Sequence, residues 1–131
     1  MKTITPYLVR FAFVASALTL AFRYCLSYAI DNEMLLIIVL SAVLYGMGMF
    51  MLGWYFGKKD GKQSKIRDIG FRMHLTTFIV YNVISELWFI LGLNSDKETI
   101  GVVHSTAICW AIFLSVHFLF YLWLRKKSPA V

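Results

Sequence analysis

Four runs of about twenty apolar residues, divided by short polar stretches, decide what this 131-residue chain can become. As a helix rising 1.5 Å per residue, each run is long enough to cross a hydrocarbon core of roughly 30 Å. The runs fill most of the sequence, so everything polar must be a loop or a tail. With 60% hydrophobic and 15% charged residues and a mean hydropathy of +0.69, the composition excludes an ordinary soluble domain. Backbone polar groups in lipid must be satisfied internally, which leaves helices for runs of this length. The expected fold is therefore all-α: a polytopic membrane protein with four transmembrane helices over about 7–30, 34–56, 71–93 and 100–124. Short connections at 31–33 and 94–99 pair them as two antiparallel hairpins in a single four-helix domain covering 1–131. The first run is too long for a cleavable signal and is expected to remain as helix one.

Charge sets the expected orientation. Residues 1–10 carry two Lys/Arg, 58–72 carry six and 125–131 carry three, eleven of the thirteen in the chain, whereas the two opposite turns hold only Lys97. By the positive-inside rule both termini and the basic loop 58–70 are expected to be cytoplasmic, as in a bacterial inner (plasma) membrane. The net charge of +6 is thus a matter of topology, and no nucleic-acid partner is expected.

Within the apolar runs, the costly residues are few. Asn82, Ser85 and Glu86 share one face of helix three at i, i+3 and i+4. An ionisable group deep in hydrocarbon costs roughly 2.5 to 3.5 kcal/mol on insertion scales, so Glu86 needs a partner, a proton or water. Helix one has a small, polar face through Ala12, Ser16, Thr19, Arg23 and Ser27. Counted from Arg10 and Arg72, Arg23 and Glu86 both lie about 20 Å into the membrane. Two readings stand: a structural Arg23–Glu86 bridge, or an outer-half site where Glu86 takes up a proton or cation, or Arg23 holds an anionic headgroup. His104, near the outer end of helix four, is placed to approach Glu86 as a hydrogen-bonded or proton-active pair. Arg23, Asn82, Ser85, Glu86 and His104 form the candidate intramembrane polar site.

The basic cluster Lys58, Lys59, Lys62, Lys65, Arg67 and Arg72 also has two readings: an ordinary cytoplasmic loop, or contacts to lipid headgroups or phosphate. Ala42, Gly46, Gly53 and Gly57 on helix two, with Gly101/Ser105/Cys109 and Ala107/Ala111/Ser115 on helix four, are small rows that admit close helix packing. Cys25 and Cys109 lie inside apolar runs without metal or redox spacing, and no two of His74, His104 and His117 share a helix at i, i+3 or i+4. No catalytic signature such as GxSxG or HExxH is present, so neither catalysis nor a cofactor is expected.

Two hairpins, each opened by an arginine and closed by basic residues, in a chain of this length resemble the GtrA-like family of small membrane proteins. Arg10-Phe11, Val14, Ala15-Ser16 and Thr19 are similar to that family's Arg-Phe-x-x-Val-Gly-Gly opening, and His117-Phe118-Leu119 to its Asn-Phe-Leu. The family's Asn-Arg-x-x-Phe endings are replaced by Gly53-Trp54-Tyr55-Phe56 and Tyr121-Leu122-Trp123-Leu124. The resemblance implies a part in moving a polyprenyl-linked sugar, or another lipid or small solute, across the membrane. The alternative is a non-catalytic role as accessory subunit, immunity-type protein or pore-forming oligomer, with membrane lipids and a second copy or another membrane protein as partners.

Overall fold

The computed structural model describes residues 4–65, 68 and 70–127. These form four helices, α1 Pro6–Asp31, α2 Leu35–Ser64, α3 Phe71–Ile90 and α4 Ile100–Lys127, each long and apolar enough to cross a membrane. Among the described residues the chain is all-α. Thr5 starts α1 as an N-cap, its hydroxyl accepting from the Leu8 N–H at 3.2 Å while Pro6 occupies the first turn, where no N–H is missed. α3 stops three residues short of the expected Leu93, because Gly92 takes a positive φ and its N–H returns to the Phe89 carbonyl at 3.1 Å.

α2 runs eight residues beyond the expected end at Phe56. The polar segment 57–64 stays helical because Asp60 and Ser64, spaced four apart, are both buried at the bundle end. Tertiary contact there overrides the low helix propensity of Gly57 and Gly61.

The helices lie in the order α2, α1, α3, α4. α1 packs on both α2 and α3, α2 touches α3 slightly, and among the described residues α4 packs on α3 alone. The four-helix bundle is thus an open row, with α4 at one edge. α1 and α3 run in the same direction, since Phe11 and Met73 share one apolar cluster while Ser27 meets Trp88 at the far end. Every fourth residue of α1 from Phe11 to Ser27 is buried: Phe11, Ala15, Thr19, Arg23 and Ser27. The lower half of this stripe is displaced by one position from the expected Ala12 and Ser16, because the large Phe11 ring, not the small residues, fills the space against Met49 and Met73.

Aromatic rings cross the row at mid-depth. Phe22 stacks on Tyr45 at 4.4 Å, Tyr45 meets Tyr81, and Tyr81 meets Trp110, so one ring from each helix joins the series. Gly48 lets α2 approach α1 closely, since a Cβ there would lie 3.2 Å from Leu18 Cδ2. The expected contact face of α2 is mostly not used: a Cβ at Gly46 or Gly53 would meet nothing within 4 Å, and only Gly57, against Met73, touches a neighbour.

Candidate functional site

The polar side chains gather in three places. At the end holding the 91–99 connection, Glu98 folds in from the loop and receives three donors: Arg23 Nη2 at 3.2 Å, Ser27 Oγ at 2.9 Å and the Ser95 N–H at 2.8 Å. Trp88 Nε1 donates to Ser27 Oγ at 3.0 Å, and the Arg23 guanidinium also lies 5.7 Å from the Phe89 ring centre. Ser95 Oγ donates to Asp31, tying the loop to the end of α1. The Arg23 and Glu98 side chains are only 3% and 7% exposed, a buried pair whose charges depend on each other. Lys97 bonds Glu33 on the surface above them, and this hydrogen bond and the Lys97 charge hold the Glu33 carboxyl below its usual range.

The expected Arg23–Glu86 bridge is therefore replaced by Arg23–Glu98. Depth was matched but direction was not. Trp88 faces α1, and Ser85, three residues earlier, shares that face; Glu86 is turned about 100° further round α3, toward α4. The α1–α3 register, Phe11 beside Met73 and Ser27 beside Trp88, brings Arg23 level with Ser85. Both are buried, and among the described residues Arg23 Nε and Ser85 Oγ have no hydrogen-bond partner. Asn82 donates to the Phe78 carbonyl of its own helix at 2.8 Å and, among the described residues, hydrogen-bonds neither neighbouring helix.

At the opposite, lysine-rich end, Arg72 reaches Asp60 of α2 and, at 3.0 Å, Asp68, while the Thr5 hydroxyl donates to Asp60. Arg72, expected among the headgroup contacts, is instead a mostly buried partner of two carboxylates. Lys58 lies over the Trp54 ring at 4.7 Å and Lys59 over Tyr55 at 4.1 Å. Lys59 and Lys62 border a shallow depression with Tyr7 and Gln63. Lys65 is the exposed left-handed residue that caps α2, and Arg67 lies outside the described residues.

The third place is the α3–α4 seam. His104 Nε2 and Glu86 Oε1 are 2.5 Å apart, with side chains 57% and 43% exposed. Nearer the lysine-rich end, Trp110 Nε1 donates to His74 Nε2 at 2.8 Å, and His74 Nδ1 lies 3.2 Å from His117 Nδ1. This last pair joins two helices, so spacing within either helix does not show it; the similar depth of both histidines from the basic end is the signal that joins them. Among the described residues no three metal-ligating side chains cluster.

These features define a class: a multi-pass, all-helical chain whose polar side chains are mostly spent on one another at the two helix ends. No family model, curated protein or solved structure matches the chain.

Proposed function

We propose that this is a non-catalytic integral membrane protein that works by lateral association, as an accessory subunit or a subunit of an oligomer. Its place would be a bacterial inner membrane, with both termini and the basic connection cytoplasmic. The observation that carries this reading is the half-uncovered Glu86–His104 pair at the edge helix. Ionisable residues in membrane helices face protein or a watery cavity, rarely lipid. Gly101, His104, Ser105 and Ile108 share one face of α4, and all four are exposed. This flank offers small residues for close approach and a polar pair for a partner to cover.

A photo-crosslinker at Ser105, used in native membranes, tests the reading against the same probe at Val39 on the opposite edge. A discrete product from Ser105 alone, whether a ladder of copies or one heterologous band, supports it; lipid adducts alone from both sites would refute it. Orientation is tested separately with Gln63→Cys and Asp96→Cys in a Cys25→Ala, Cys109→Ala background. An impermeant thiol reagent should reach Gln63→Cys only from the cytoplasm and Asp96→Cys only from outside.

One observation favours a second reading. Lys58, Lys59 and Lys62 are exposed, two of them beside interfacial aromatic rings, an arrangement suited to anionic headgroups or a polyprenyl phosphate. With the resemblance to the GtrA-like family, this supports handling of a lipid-linked sugar. Binding to vesicles containing undecaprenyl phosphate, lost on changing the three lysines to Gln, is its test.

A further inference from the structure

The contacts holding α4 fix where their protons sit. An indole N–H only donates, so His74 Nε2, which receives Trp110 at 2.8 Å, carries no hydrogen. Neutral His74 must then carry its proton on Nδ1 and donate it to His117 Nδ1 at 3.2 Å, leaving the His117 proton on Nε2. Trp110, His74 and His117 thus form a one-way chain that exists only when both rings are neutral. An added proton on His74 sets an Nε2–H against the Trp110 N–H. One on His117 sets two Nδ1–H groups against each other, and moving the His74 proton to Nε2 to relieve this loses Trp110 instead. Either way one of the two bonds breaks.

The other contact on the same seam responds in the opposite sense. His104 protonated at both nitrogens makes a charge-assisted hydrogen bond to the Glu86 carboxylate, stronger than the neutral ring makes. Twelve residues of α3 separate His74 from Glu86, and thirteen of α4 separate His104 from His117, so the two contacts sit about 18 to 20 Å apart. The stretch between them presents the mostly apolar residues Ala107, Ala111 and Leu114. Among the described residues α3 is the only helix that α4 touches.

Most of the other charged groups on the surrounding elements are engaged elsewhere, and Lys62 of α2 with Arg125 and Lys126 of α4 are exposed. On α3 and the segment before it, Arg72 binds Asp68 and the Asp60 of α2; on α1, Arg10 lies over Tyr7 and Arg23 binds Glu98. On α2, Lys58 and Lys59 lie over rings, and on α4 Lys127 lies over Trp123 while the Tyr121 ring stacks on Phe71. The histidines are therefore the groups on this seam whose contacts change with proton uptake near neutral pH.

We propose that the α3–α4 seam is a proton-binding site. Uptake at His74/His117 opens the lysine-rich end, uptake at His104 tightens the other, and acidification swings α4 against α3.

Spin-label distances in nanodiscs, where both faces share one pH, test this in the Cys25→Ala, Cys109→Ala background. Val9→Cys with Leu119→Cys reports the lysine-rich end, and Tyr24→Cys with Val102→Cys the other. Between pH 8 and pH 5 the first distance should lengthen and broaden, while the second holds or shortens. His74→Gln with His117→Gln, in which neither ring is left to titrate, should abolish the first change and spare the second contact. An unchanged or shortened Val9–Leu119 distance at pH 5 overturns the proposal, as does an equal response in the variant lacking both His74 and His117.

Discussion

Replacing Glu98 should damage this protein far more than replacing Glu86. The Glu98 carboxylate takes three donors in a site where neither it nor Arg23 reaches solvent appreciably. Glu98→Gln keeps the shape but removes the only carboxylate that Arg23 contacts among the described residues, leaving a guanidinium beside the Phe89 ring. Breaking such a pair costs about 3 to 5 kcal/mol, and the Phe89 contact, present with or without the carboxylate, does not reduce it. A loss of about 3 kcal/mol raises the unfolded fraction roughly a hundredfold. Arg23→Met should cost less, because Ser27 and the Ser95 N–H still hold the carboxylate. Arg23→Met with Glu98→Leu should recover only part of the loss, since Ser27 and Ser95 then lack an acceptor at about 1 to 3 kcal/mol each. Unfolding in mixed detergent–SDS micelles gives the values, and a double-mutant cycle isolates the pair. The Arg23–Glu98 coupling should be about 2 to 3 kcal/mol and the Arg23–Glu86 coupling below about 0.5. A larger coupling to Glu86 than to Glu98 would refute the assignment.

At the lysine-rich end, Arg72→Met strands the buried Asp60 and should cost about 3 to 5 kcal/mol by the same assay, with Asp60→Asn milder; a neutral Arg72→Met would mean that the pair is solvated. Ser85→Ala removes a buried hydroxyl that has no partner among the described residues and should raise stability by about 1 kcal/mol, whereas Ser27→Ala, which cuts the Trp88–Glu98 relay, should lower it by about 1 to 3; the reverse order would contradict the hydrogen bonding described. Glu33 carries its depressed carboxyl because Lys97 bonds it and then because of the Lys97 charge. The associated stabilisation is complete above the ordinary carboxylate range and is lost as pH falls through the lowered value. Carboxyl NMR titration should find Glu33 moving up toward the ordinary range in Lys97→Gln; an unmoved titration excludes the contact.

Hydropathy alone made the four helices legible, because length and apolarity are local properties. The Thr19, Arg23 and Ser27 part of the α1 face was legible for the same reason, since its period lies within one helix. Partners across the fold were not. Arg23 and Glu98 are seventy-five residues apart, and nothing in the 94–99 turn distinguishes a carboxylate that folds inward from one left in water. Counting rise per residue placed Arg23 and Glu86 level, but rotation about α3 decides which helix a residue meets, and that follows from packing. The extension of α2 through Ser64 depends on burying Asp60 beside Thr5 and Arg72, again a tertiary event. The edge position of α4 was hidden too, because its small-residue rows look alike on paper. The structure turns Ala107 and Ala111 toward α3 and leaves Gly101, Ser105 and Cys109 outside.

Native mass spectrometry of the protein released from its own membrane in mild detergent tests the association claim most directly. A complex of defined mass, containing a second copy or another membrane protein, should be seen, and should disappear when Gly101→Leu and Ser105→Leu crowd the exposed flank of α4 while the chain still folds. A monomer carrying only lipid, or a complex indifferent to both substitutions, would contradict it.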